Sequence, residues 1–193
     1  FDIFGAAFAG ASVHPIPPRA AAFPFAISRF CAEQHLTVWY TTPSALSLML
    51  EHGRLEQMDL SGLRVLIFAG EVMPPDVLRR LMAVAPRTRF VNVYGPTETN
   101  VCTFHEVRSL PLLNEPLPIG IPCPAARLAI LDDDLSPVRP GEAGELWVGG
   151  ETLFEGYFGQ PELTAQVLRE VKTPDGPMRA YRTGDRVCER DDG

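Results

Sequence analysis

Two rhythms of apolar and polar positions run through the first hundred residues. Residues 36–40 (LTVWY), 64–69 (RVLIFA) and 89–93 (RFVNV) are short, nearly continuous apolar runs rich in β-branched and aromatic side chains, and they predict buried strands. Residues 24–34 place Phe25, Ile27, Phe30 and Cys31 at helical spacing. Thr42-Pro43 supplies an N-cap and a first-turn proline for a helix through Leu50, with Gly53 as its stop. Pro74-Pro75-Asp76 begins a further helix to about Val84. Strands alternating with helices, apolar throughout, predict an α/β fold: a parallel sheet with helices on both faces. If the strands are parallel neighbours, Tyr40-Thr41-Thr42, Ala69-Gly70-Glu71 and Tyr94-Gly95-Pro96-Thr97 open onto one edge of the sheet, where such folds place ligands.

The rhythm changes past Leu110. Pro111, Pro116, Pro118 and Pro122 punctuate a connection, and short strands follow at 127–131 (RLAIL) and 145–148 (ELWV), with turns at Asp132-Asp133-Asp134 and Pro140-Gly141. A helix is expected at 161–170, an extended segment at Tyr181-Arg182-Thr183, and Lys172 in a surface turn. This half reads as a β-rich lobe, so the expected division is 1–111 and 112–193, with a soft boundary near residue 112.

Composition narrows the function. The 193 residues are 46% hydrophobic, enough for one substantial core or two small ones. A net charge of −7 without a Lys/Arg cluster argues against a nucleic-acid partner. No apolar run approaches the roughly 20 residues that span a bilayer, and no signal peptide is visible, so the expected location is the cytoplasm. Cys31, Cys102, Cys123 and Cys188 form no C-x-x-C pair, which argues against structural zinc. The opening at Phe1 suggests a piece of something longer.

The densest chemistry is Tyr94-Gly95-Pro96-Thr97-Glu98-Thr99. An aromatic face can stack on a base, and Gly-Pro forces a turn. The hydroxyls of Thr97 and Thr99 can bond phosphate oxygens, and the Glu98 carboxylate can hold Mg²⁺. Alone, the hexapeptide is equally a tight loop.

Three further segments make it a signature: Phe68-Ala69-Gly70-Glu71, Gly144-Glu145-Leu146-Trp147-Val148-Gly149-Gly150 leading to Gly156-Tyr157, and Tyr181-Arg182-Thr183-Gly184-Asp185. Together with YGPTETNVCT they resemble the adenylate-forming (AMP-binding) superfamily, and most of all the amino-acid adenylation domains of nonribosomal peptide synthetases. The resemblance implies that Tyr94 stacks on adenine against the Gly70-Glu71 backbone, while Asn92 contacts the exocyclic amine and Gly95 lets the backbone approach. It implies that Thr97 bonds a phosphate, Glu98 ligates Mg²⁺ and Asp185 holds both ribose hydroxyls, with a simple Thr-Gly-Asp turn as the competing account of Asp185. For Gly144–Gly150 the competing account is stronger: a strand and turn that shape the lobe. The matching acyl pocket is Phe1, Tyr40, Ile67, Ala69, Val93, Val101 and Cys102. That set is apolar apart from one phenol and one thiol, so it favours a small uncharged side chain. The combination resembles the pockets of stand-alone prolyl-activating ligases, which implies L-proline or another small apolar amino acid. Core packing competes as the account of Ile67 and Val93.

The resemblance also implies ATP and Mg²⁺ as reactants. The carboxylate is activated as an acyl-adenylate and passed to the phosphopantetheine thiol of a carrier protein, or to coenzyme A. The family's phosphate loop, the aspartate that meets an amino acid's ammonium group and the catalytic lysine are expected outside this stretch, and Lys172 does not match the lysine motif. A small-acid coenzyme A ligase and an inactive nucleotide-binding fragment are the rival readings.

Overall fold

The computed structural model describes residues 2–109 and 117–190. Two compact units emerge, Phe1–Asn92 with Glu106–Pro118, and Val93–His105 with Ile119–Gly193. The expected boundary at residue 112 lies outside the described residues.

In the first unit, helices α1 (Asp2–Phe8), α2 (Pro18–Ala21) and α3 (Pro24–Glu33) precede strand β1 (Val38–Thr41), α4 (Pro43–His52), β2 (Val65–Phe68), α5 (Pro75–Val84) and β3 (Arg89–Tyr94). β1, β2 and β3 pair in parallel, with Trp39 opposite Leu66 and Leu66 opposite Phe90. Alternation along the strands sends Trp39, Leu66, Phe68 and Phe90 to one face, where they share a core with Leu46 and Met49 of α4 and Leu78 and Leu81 of α5. Each such buried side chain contributes roughly 1.5–3 kcal/mol relative to exposure. The opposite face, carrying Tyr40, Ile67 and Val91 in register, is half-buried.

The local signals work as the sequence predicts for α4. Thr42 Oγ1 accepts from Ala45 N at 3.3 Å and Pro43 opens the first turn. Gly53 ends the helix for a different reason from the usual left-handed stop. Its φ is −96°, and a Cβ there would lie 2.5 Å from Ser28 Oγ and 2.6 Å from the Met49 carbonyl oxygen. Helix α1 carries no core-facing pattern that a sequence could announce, because Ile3, Phe4 and Phe8 are largely exposed.

In the second unit, β4 (Thr103–Val107), whose first three residues belong here, pairs antiparallel with β5 (Ile121–Pro122). A separate antiparallel sheet has the order β6 (Ala126–Leu131), β7 (Gly144–Gly150), β9 (Gly176–Val187), β8 (Leu168–Thr173). Strand β7 reads as a continuous apolar run because both its faces are covered. Trp147 packs with Leu131, Val171 and Met178, while Leu146 and Val148 pack with Cys102.

The helix expected at 161–170 is shorter. Helix α6 (Pro161–Val167) stops where Leu168 turns extended, at φ −104° and ψ 118°, and residues 168–173 join the sheet opposite β9. Cross-strand pairing of Leu168 with Tyr181 and Val171 with Met178 outweighs the helical pattern. Lys172 therefore sits on a strand, opposite Pro177, and the turn is Pro174-Asp175, followed by Gly176 at φ +105° as the first residue of β9. The architecture remains the expected α/β class, with a mostly parallel sheet and a β-rich part.

Candidate functional site

The expected site residues fall into two groups, one in each unit. In the first unit, β1, β2 and β3 end at a common edge because they run parallel and in register, with Phe68 opposite Asn92. Gly70 leaves β2 at φ +86°, which only glycine adopts without strain, and Glu71 follows it. The Glu71 carboxylate caps the start of α4: Ser44 N donates to Oε2 at 2.9 Å and Ser44 Oγ to Oε1 at 2.8 Å. A negative side chain there also complements the positive end of the helix. Glu71's side chain is thus spent on structure, which leaves its backbone as the part free to meet a ligand. Asn92 is buried, and its Nδ2 donates to the Pro118 carbonyl at 2.8 Å. That bond orients the amide and leaves Oδ1 as the acceptor side, the polarity an exocyclic amine requires. Tyr40, Ile67 and Ala69 are half-buried, and Tyr40 pairs with Ile67 in register. Phe1, the first of the expected pocket residues, lies outside the described residues.

In the second unit, residues 94–102 form a loop closed on itself. Cys102 N donates to Tyr94 O at 2.9 Å and Thr99 N to Pro96 O at 3.1 Å. Gly95 is indispensable to that closure, since a Cβ would lie 1.8 Å from the Asn100 carbonyl oxygen. Thr97 is exposed, Glu98 and Val101 are half-buried, and Val93 is buried. Two polar groups here are buried. Thr99 is fully buried, and its hydroxyl is taken up by the carbonyls of Pro96, at 3.4 Å, and Asn100, at 3.1 Å, so it staples the turn and faces no phosphate. Cys102 is 0% exposed, packed with Leu146 and Val148, and its thiol approaches Tyr94 O at 3.5 Å. It packs in the core of the second unit. Burial pushes its thiol up to about 11, so it is a neutral core group.

The Thr-Gly-Asp run has a geometric reason. Glu145 pairs with Arg186 and Trp147 with Arg182, so the single residue Leu146 faces the three residues 183–185 of β9. The surplus forms a bulge around Gly184, at φ +79°. Thr183 holds it: its hydroxyl donates to the Leu146 carbonyl at 2.7 Å and accepts from Asp185 N at 3.1 Å. Asp185, lifted out of the ladder, is exposed and accepts a hydrogen bond from Tyr94 Oη on Oδ2. Burial, followed by this bond to a carboxylate, pushes the Tyr94 phenol well above its usual range, so it stays a neutral donor.

Glu98 is held by a residue that the sequence reading placed in a motif without a role. Tyr157 Oη donates to Glu98 Oε1 at 2.6 Å. Its only signal in the sequence is its place in the Gly156-Tyr157 pair. The structure therefore brings together Tyr94 with Asp185 and Glu98 with Tyr157. Among the described residues no group of three or more His, Cys, Asp or Glu could hold a metal ion, and no helix is long and apolar enough to cross a membrane.

The turn that follows β3 carries Glu98, bonded by Tyr157, and Tyr94, bonded to Asp185, so two phenol-bonded carboxylates belong to this cluster. Residues 1–158 match the family model described as AMP-binding enzyme, and the chain belongs to that family. It is 38% identical to an L-proline–[L-prolyl-carrier protein] ligase of Streptomyces coelicolor over 195 residues, covering 98% of this chain and 36% of that protein. It is 36% identical to the AMB antimetabolite synthetase AmbB of Pseudomonas aeruginosa, covering 100% of this chain and 15% of that one. Among solved structures, the nonribosomal peptide synthetase FmoA3 bound to alpha-methyl-L-serine-AMP superposes with a TM-score of 0.86 at 34% identity, over 96% of this chain and 21% of that chain. The chain thus spans about a third of the length of the proline ligase it matches.

Proposed function

We propose that this chain is the nucleotide- and substrate-binding part of an enzyme that activates an amino acid with ATP and passes it to a carrier protein. The observation that carries the reading is the turn at 94–99, whose aromatic ring is bonded to one carboxylate, Asp185, and which carries a second, Glu98. A cis-diol and a magnesium-bound phosphate chain are ligands that two such carboxylates suit. The names of the ligase and synthetase relatives support the same class.

The reaction forms one bond and breaks one in each half. A carboxylate oxygen of the amino acid attacks the α-phosphorus of ATP, and the bond to the bridging oxygen breaks, releasing pyrophosphate with the electron pair. The carrier's phosphopantetheine thiolate then attacks the acyl carbon and AMP leaves. No protein nucleophile is needed, so the residues act by positioning and charge stabilisation. Tyr94 offers the stacking face, Asp185 takes the ribose hydroxyls and Thr97 donates to a phosphate oxygen. Asn92 Oδ1 and the backbone of Gly70 and Glu71 offer contacts to the base. Mg²⁺ fits the donor set, a single hard carboxylate beside an exposed hydroxyl, because this ion commonly takes one or two carboxylates and completes its shell with phosphates and water. Glu98 would hold it, and the ion would supply charge neutralisation on the phosphates. Tyr40, Ile67 and Ala69 present a half-buried apolar face that suits L-proline or another small apolar amino acid. Use of ATP and four free cysteines support a cytoplasmic setting.

The test is ATP–pyrophosphate exchange by the full-length protein over a panel of amino acids and simple carboxylic acids. Exchange strongest with proline or a small apolar amino acid is the expected result. Exchange only with acids that lack the amino group would overturn the reading.

A further inference from the structure

The segment 154–157 grips Glu98 at two points. Phe154 N donates to the Glu98 carbonyl at 2.8 Å, and Tyr157 Oη donates to Glu98 Oε1 at 2.6 Å. The partners are 56 and 59 positions apart, so no local turn produces the pairing. The backbone that carries this phenol is itself held. Tyr157 N donates to Thr164 Oγ1 at 2.9 Å, and that hydroxyl donates to the Gln160 carbonyl at 2.9 Å. The Phe154 ring meets Tyr157 edge-on with centroids 5.0 Å apart and Tyr181 at 5.7 Å. Tying one oxygen to a held phenol narrows the rotation of the carboxylate about its terminal bond, and the Tyr181 phenol interacts with the same group.

We infer that Tyr157 is the positioning residue of the metal-binding carboxylate: it fixes Glu98 Oε1 and presets Oε2 for a magnesium–nucleotide complex. The inference rests on the reading of Glu98 as the magnesium ligand. A phenol is suited to the task because it orients the carboxylate without neutralising it, whereas a lysine or arginine there would compete with the cation. Hydrogen-bond partners of metal ligands typically matter by about 10–100-fold in metal affinity.

The test uses the full-length protein with Mn²⁺ as a paramagnetic stand-in and a non-hydrolysable ATP analogue, counting free Mn²⁺ by electron paramagnetic resonance. Tyr157→Phe is expected to weaken Mn²⁺ in the ternary complex by about tenfold. The Mg²⁺ concentration that half-saturates pyrophosphate exchange should rise by the same factor, while KM for the amino acid stays constant. Glu98→Gln, measured in parallel, should weaken Mn²⁺ at least as much. Unchanged Mn²⁺ affinity in Tyr157→Phe beside a clear loss in Glu98→Gln would overturn the positioning role and leave the site reading standing. No loss in either variant would remove Glu98 as the ligand, and the positioning role with it. Should Tyr157→Phe lose its circular dichroism signal, 3,5-difluorotyrosine at position 157 keeps the ring and the bond but draws more charge from the carboxylate. A measurable weakening of Mn²⁺ then supports the role, and unchanged affinity refutes it.

Discussion

The strand-end edge of the first unit and the turn-and-bulge cluster of the second use polar side chains in opposite ways. In the first, Glu71 and Asn92 bond to structure: Glu71 caps α4 through Ser44, and Asn92 holds the Pro118 carbonyl. In the second, Glu98 and Asp185 are each held by a neutral phenol from a distant part of the chain. A carboxylate bonded to a helix start is satisfied at both oxygens, whereas one met only by neutral phenols keeps its charge available to a ligand. The type of residue alone did not separate the two roles. The partner did.

The largest expected effect comes from the two glycines that open the respective loops. Gly95→Ala forces a methyl to within 1.8 Å of a backbone carbonyl, so the loop must open, at a cost of about 3 kcal/mol by denaturant unfolding. Gly70→Ala meets nothing within 4 Å and suffers only its positive φ, at about 1–2 kcal/mol. Equal losses would show that the 94–102 loop relieves the Gly95 clash by a small shift and does not open.

A smaller effect separates ligand binding from fold. Asp185→Ala in the full-length protein is expected to weaken ATP by roughly 1.5–3 kcal/mol, the range of a charge-assisted hydrogen bond, with little change for the amino acid. Tyr94→Phe, which removes the tether and keeps the carboxylate, should weaken ATP less. Calorimetry that finds equal losses for ATP and the amino acid in Asp185→Ala would make this bulge structural.

The smallest effects are pH-dependent and run in opposite directions in the two units. Tyr94, Tyr157 and Tyr181, all in the second unit, have phenol ionisations raised in the folded state. Their contribution to stability is complete below the unfolded value of about 10 and is lost as pH rises past it. Absorbance at 295 nm should therefore jump on unfolding in urea above that pH, and Tyr157→Phe should shrink the jump. Glu106 in the first unit is held below its usual range, mainly by the Arg89 Nε–H bond at 2.7 Å. Its contribution is present above the unfolded value of about 4.3 and is lost as pH falls through the lower folded one, so Glu106→Gln should flatten the acid limb slightly.

Much of the first unit was legible because its signals are local. The apolar runs gave β1, β2 and β3 to within two residues, and Thr42-Pro43 and Pro74-Pro75 marked helix starts where the structure has them. The misses share a cause. Residues 168–170 read as helix by spacing, and only pairing with β9 makes them a strand. Thr99 carries a hydroxyl with ligand chemistry, yet turn closure claimed it.

By itself the sequence determined the α/β pattern, the turn at 94–99 and the motifs that place the chain among AMP-binding enzymes. Only the tertiary structure decided which carboxylates are committed and which are presented. It set Leu146 against three residues of β9, so that Asp185 leaves the ladder, and it brought Tyr157 to Glu98 across 59 positions. Periodicity reports what a residue does within a turn or two of its own backbone. Hydrogen-bond partners at such separations follow from the packing of whole elements, which no local pattern encodes.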